Sequence, residues 1–198
     1  MNEHLQPVFE ILLPALEGAG IKYWVYGGVG IAGVVGEFFR PNGDVDIFVE
    51  ERDFVNATSL LDNICKQNGL TPKDRGRLNG RPKFEVIDEK VIDKEKREIL
   101  SVVPVYRKDG HVEFVFGPRP TRYSDQMLAS APRNIGRYRF PTPADKYIKE
   151  LFKTLVRNRR KVKTKEKIWE NIQRDAQKIL TLEECRELKI PELMGGVR

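Results

Sequence analysis

Tyr23-Trp24-Val25-Tyr26 runs into Gly27-Gly28, and after fifteen further residues Asp44-Val45-Asp46-Ile47-Phe48-Val49 sets two carboxylates one residue apart. The first run reads as an apolar strand, the second as a strand that is acidic on one side. Side chains alternate between the faces of a strand, so Asp44, Asp46 and Phe48 share one face and Val45, Ile47 and Val49 the other. The second set suits a core. The first set holds two acids roughly 6–7 Å apart at the backbone, given a rise of ~3.3 Å per residue. Neighbouring carboxylates raise one another's pKa unless a cation lies between them. Magnesium suits such a pair, because it prefers oxygen ligands and reaches proteins through one or two carboxylates together with substrate phosphates.

The remaining pattern surrounds this pair with α/β elements. Leu5, Val8, Phe9, Leu12, Leu13 and Leu16 recur at helical spacing, which predicts a helix over 3–18 interrupted at Pro14. Val29, Ile31, Ala32, Val34 and Val35 predict a buried helix ending at Gly36. Asp53 is expected to cap a helix running to about Lys66, with Gly69 as its stop. Residues 71–82, rich in Pro, Gly, Arg and Asn, read as an exposed loop. Lys83–Ile87 and Glu98–Tyr106 read as strands, and Lys108-Asp109-Gly110 as a hairpin turn into His111–Phe116. Arg133–Phe140 reads as one more short strand. Thr142-Pro143-Ala144-Asp145 marks a helix start, and further helices are expected near 164–180 and 181–188. The expected organisation is an α/β core over 1–140 with a mixed, mostly antiparallel sheet, followed by a helical region over 141–198.

Charge and cysteine usage narrow the function classes. A formal net charge of +6 favours polyanionic ligands such as nucleotides or nucleic acid. Two cysteines, Cys65 and Cys185, in unrelated segments supply neither a disulfide framework nor a zinc site. The N-terminal residues lack a signal-peptide pattern and no run approaches membrane-spanning length, so a cytoplasmic protein is expected.

Gly28-Val29-Gly30-Ile31-Ala32-Gly33 is a literal G-x-G-x-x-G, with Glu50 available as a ribose partner, and would suit a dinucleotide-binding turn. That reading requires repeated strand–helix–strand crossovers. The downstream hairpin argues against them, and Asp44 and Asp46 would be left without a role.

The ordered set Gly27-Gly28, Gly36 and Arg40-Pro41-Asn42-Gly43-Asp44-Val45-Asp46 resembles the signature of the nucleotidyltransferase superfamily that shares the DNA polymerase β palm. The likeness is to its lincosamide and aminoglycoside nucleotidyltransferases, and it covers about residues 20–118. The resemblance implies transfer of a nucleoside monophosphate from an NTP to a hydroxyl of a small molecule such as an antibiotic, an RNA or a protein. Two Mg²⁺ ions about 3.5–4 Å apart would assist the in-line displacement. It implies Asp44 and Asp46 as metal ligands, with a third carboxylate from a neighbouring strand; Glu113 occupies the matching place, with Glu85 the alternative. Gly27 and Gly28 would admit phosphates to the following helix N-terminus. Arg40 and Lys153, the latter one helical turn from Lys149, would contact the triphosphate. The basic segment Arg157, Arg159, Arg160, Lys161 and Lys163 would accept RNA, and His4 and His111 read as surface residues. A catalytically silent nucleotide- or RNA-binding relative is the alternative from a different class.

Overall fold

The computed structural model describes residues 2–78, 81–88, 97–115, 120–129, 132–160 and 166–190; for 74–78, 81–88, 97 and 115 the description is of the backbone alone. The chain opens with a 3-10 turn (Glu3–Leu5), a π-helical stretch (Val8–Leu12) and α1 (Leu13–Gly18). The single expected helix is thus three helical geometries in succession. Pro14 sits in the first turn of α1, where its missing N–H costs least.

Strand β1 (Tyr23–Tyr26) leads into α2 (Gly27–Val35), which stops at Gly36 with φ +90°. Strand β2 (Val45–Glu50) and α3 (Glu51–Asn68) follow. Helix α3 begins two residues earlier than its expected cap, so Asp53 lies in the first turn instead of capping it. The segment expected to be a loop supplies β3 (Thr71–Leu78), which pairs antiparallel with β4 (Arg81–Asp88), the strand expected over Lys83–Ile87. Sheet pairing overrides the low strand propensity of Pro72, Asp74 and Gly76 in β3.

Strand β5 (Arg97–Lys108) is the long central element. Asp109 and Gly110, both at positive φ, turn the chain into β6 (His111–Val115), and β7 (Pro120–Ser124) extends that edge. In place of one strand over 133–140 there is a separate hairpin of β8 (Pro132–Ile135) and β9 (Tyr138–Pro141). Helices α4 (Asp145–Arg159), α5 (Glu166–Ile179) and α6 (Leu182–Glu187) close the chain. Ala144, with no capping side-chain bond, precedes α4, while the expected cap Thr142 is buried and donates to the Pro143 carbonyl.

The main sheet runs β1-β2-β5-β4-β3, with β6 pairing β5 and β7 pairing β6. Among the described residues only β2 and β5 pair in parallel; every other pairing of the main sheet is antiparallel. The antiparallel pairing of β1 with β2, Tyr26 opposite Asp46, rules out a dinucleotide-binding βαβ unit around the glycines, because that unit joins parallel strands.

Alternation along β1 and β2 divides two cores. Tyr23, Val25, Val45, Ile47 and Val49 pack with α1 and α3, while Trp24, Tyr26 and Phe48 pack with α4–α6. On the second side Tyr26 stacks on Phe48 at 3.8 Å between ring centroids, and Phe48 meets Phe114 at 4.6 Å. Cys65 and Cys185 are buried and unbridged, and burial raises both thiols, Cys65 to about 12. Among the described residues no helix is long and apolar enough to cross a membrane.

Candidate active site

At the junction of β1 and α2 the chain turns at Gly27, whose φ of +64° favours glycine. A Cβ there would collide with Asp46 Oδ2, and one at Gly28 would collide with the Arg40 guanidinium and the Asn42 amide. The turn is therefore packed directly on the two polar features that flank it. A cavity of about 360 Å³ opens beside it, lined by Gly27, Gly28, Asp44, Asp46, Glu98 and Arg159 on its polar side. Tyr26, Ile31, Ile148, Leu151, Phe152 and Leu155 form its apolar side, and Arg40 and Asp175 complete it.

Glu98 reaches this cavity through an irregularity in β5. Val86 pairs with Leu100 but Ile87 pairs with Glu98, so Ile99 is an extra residue in the ladder. The bulge reverses the alternation ahead of it and turns Glu98 to the face of Ser101, which lies opposite Asp46. Three carboxylates then bear on one phenol. Burial first, then Asp46, Asp44 and Glu98, hold the Tyr26 hydroxyl well above its usual pKa, and it stays protonated.

Glu113, the third acid expected from sequence, lies elsewhere. It pairs with Tyr106 in β5 and Arg122 in β7. Tyr106 is five positions past Ser101, about 17 Å along the strand. There Glu113 makes an ion pair with Arg122 and lies 3.5 Å from His111 Nε2. The sequence reading treated β6 as a neighbour of β2, whereas β5 intervenes and meets β6 only at its far end. Glu85, the alternative, stands opposite Ser101 in β4; its side chain lies outside the described residues.

The expected phosphate contacts divide in the same way. Lys153 does not line the cavity: it bonds Glu150 and Glu184, each at 3.0 Å, and Lys149 bonds Glu184 at 2.8 Å. The α4 face that does line it carries Ile148, Leu151, Phe152 and Leu155, and its cation is Arg159. The basic run is therefore divided among separate tasks, since Arg160 donates to the Leu188 carbonyl at 3.2 Å, and Lys161 and Lys163 lie outside the described residues.

Arg40 does line the cavity, but it is buried and donates from Nε and Nη2 to the two carboxylate oxygens of Asp175, at 2.5 and 2.7 Å. Its Nη1 donates to the Pro41 carbonyl at 2.8 Å. Burial raises the Asp175 carboxyl while Arg40 opposes the rise. Removing either partner of a buried pair of this kind costs about 3–5 kcal/mol. Sequence reasoning missed Asp175, although a signal existed: it is an acid set in the apolar stripe Ile168, Ile172, Ile179 of α5.

The donor set suits a hard divalent cation, being carboxylate oxygen on two neighbouring positions of one strand end. Among the described residues no three His, Cys, Asp or Glu side chains gather closely enough to cage a metal. Two carboxylates completed by substrate phosphates meet the requirement of Mg²⁺, and Asp44 with Asp46 are the pair that would hold it.

No protein-family model and no curated protein sequence matches the chain. Solved structures do. The solution structure of the antibiotic-resistance factor ANT(2'')-Ia superposes with a TM-score of 0.60 at 16% identity, over 96% of this chain and 91% of that one. The complex of ANT(2'')-Ia with adenylyl-2''-tobramycin gives 0.61 at 16% identity, over 94% of each chain. The lincomycin-bound lincosamide antibiotic adenylyltransferase LnuA gives 0.54 at 16% identity, over 85% of this chain and 93% of that one. Strand order, glycine turn and acidic strand end thus occur in a chain with the fold of the aminoglycoside and lincosamide nucleotidyltransferases.

Proposed function

We propose that the protein is a Mg²⁺-dependent nucleotidyltransferase that moves a nucleoside monophosphate from an NTP to a hydroxyl of a small-molecule acceptor. The observation that carries this reading is the convergence of Gly27-Gly28, Asp44, Asp46, Glu98 and Arg159 on one cavity. Both neighbouring proteins act on antibiotics in their described complexes, which favours a small acceptor over RNA or protein.

Asp44 and Asp46 would hold the metal. Bound there, Mg²⁺ would neutralise charge on the α-phosphate and on the departing pyrophosphate. The first amides of α2, freed of side chains at Gly27 and Gly28, point donors toward the phosphates. Arg159 adds positive charge across the cavity. Glu98, turned toward the cavity by the Ile99 bulge, accepts the acceptor's hydroxyl proton. The acceptor oxygen then bonds the α-phosphorus as the bond to the pyrophosphate oxygen breaks. The apolar wall of Leu151, Phe152 and Leu155 receives the non-reacting bulk of base or acceptor and excludes water.

The test is incubation with each α-labelled NTP, ATP first, with and without Mg²⁺, against aminoglycoside, lincosamide, RNA and protein acceptors. The expected result is label on a small hydroxyl-bearing acceptor only when Mg²⁺ is present. Label on RNA or protein alone would replace the acceptor assignment, and no label on any species would favour a silent nucleotide-binding relative.

A further inference from the structure

The segment that delivers Asp44 to the cavity is tied down from both ends of the chain. Asn2 Oδ1 accepts from the Asn42 amide at 2.7 Å, and Asn2 Nδ2 donates to the Arg40 carbonyl at 3.3 Å. His4 Nε2 lies 3.1 Å from the Gly43 carbonyl. From the other end, Asp175 on α5 grips Arg40 through both carboxylate oxygens across 135 positions of sequence. The gripped guanidinium is also the group against which Gly28 is packed. One buried ion pair therefore touches the approach to the acidic strand and the glycine turn together.

This arrangement suits positioning more than ligand contact. The Nε edge of Arg40 is spent on Asp175 and Nη1 holds the next carbonyl of its own loop. Both carboxylate oxygens of Asp175 are engaged by Arg40. We infer that Asp175 is a positioning residue for the metal carboxylates: acting through Arg40, the tail helix sets the 40–44 loop and with it the placement of Asp44 beside Asp46. The inference rests on the transferase reading above, and it makes the helical region a working part of the site instead of an appendage.

The test uses the full chain and two readouts: Mg²⁺ titration of non-hydrolysable NTP analogue binding by calorimetry, and steady-state transfer kinetics. Outer-shell partners of metal ligands typically contribute ~10–100-fold to metal affinity or activity, and Asp175→Asn is expected to raise the half-saturating Mg²⁺ by about tenfold. It should lower kcat while KM for the NTP at saturating Mg²⁺ stays within about twofold, the pattern of a lost transition-state interaction. Arg40→Lys should behave alike, because an ammonium cannot reproduce the planar fork. Should the buried variants not fold, the Asn2→Ala/His4→Ala double variant loosens the same loop from its exposed side and should shift the Mg²⁺ requirement in the same direction. An unchanged Mg²⁺ requirement in variants that fold, or a rise in NTP KM with kcat intact, would overturn the inference. Binding needs no turnover, so a wild-type protein that binds Mg²⁺ and analogue but transfers nothing would sink the transferase reading alone. Wild-type protein that binds no Mg²⁺–analogue complex would sink both.

Discussion

Glu113 is the third acid expected from sequence beside Asp44 and Asp46, and Glu98, near the start of β5, was not among the candidates. What separates them is position in the sheet: Glu98 is turned by the Ile99 bulge into the cavity, and Glu113 is paired with Arg122 at the far end of β5. The two isosteric amides therefore give opposite results. A general base contributes ~10²–10⁴-fold, so Glu98→Gln should lower kcat by at least about a hundredfold with little change in melting temperature. Glu113→Gln weakens the ion pair with Arg122, far from the cavity, and should leave kcat within a factor of about two. Steady-state kinetics of the two variants side by side decide the assignment. A large loss at Glu113 with none at Glu98 would restore the sequence-based choice.

At the scale of elements, the strand ends and glycine stops were legible because they depend on local chemistry: β2 with its two-sided alternation, Gly36 and Gly69 as helix ends, the Asp109-Gly110 hairpin. Strand β3 was not legible, because its Pro, Gly and Arg residues look like a loop until β4 is there to pair with. Nor was the bulge, which exists only as a mismatch between two strands' registers. Lys153 shows a third kind of limit. Its spacing from Lys149 was readable, but α6 was not expected to bring Glu184 between them. Those contacts, that of Lys149 first and the Thr181 amide next, hold the Glu184 carboxyl at about 2 against an ordinary 4.5. A depressed carboxylate stabilises the fold fully above its ordinary pKa and loses that contribution as pH falls through the folded value. Thermal melts of wild type and Glu184→Gln should accordingly differ by a constant amount above about pH 5 and converge toward pH 2. A gap that widens on acidification would contradict the docking of α6 on α4 through this carboxylate.

Taken as a whole molecule, the chain places the proposed metal–phosphate site in a cavity where three separate stretches of sequence meet: the β1–α2 turn, the adjoining ends of β2 and β5, and the inner face of the C-terminal helices. The glycine turn and the acidic end of β2 were visible as motif and resemblance, and the β5 end with Glu98 was not. The third was visible only in part, since the α4 face was readable but its role as cavity wall, and the reach of Asp175 to Arg40, depend on how the helices pack over Phe48 and Phe114. Of the basic run 157–163, which suggested a polyanionic ligand, Arg159 lines that cavity, as Arg40 does from the loop before β2. The most direct test of the central claim is pyrophosphate release by wild type and Asp46→Asn under saturating ATP, Mg²⁺ and a small acceptor that takes label. The account predicts Mg²⁺-dependent release from the wild type, equimolar with labelled acceptor, and none from an Asp46→Asn protein with an unchanged circular dichroism spectrum and melting temperature; release that persists in the folded variant would contradict it.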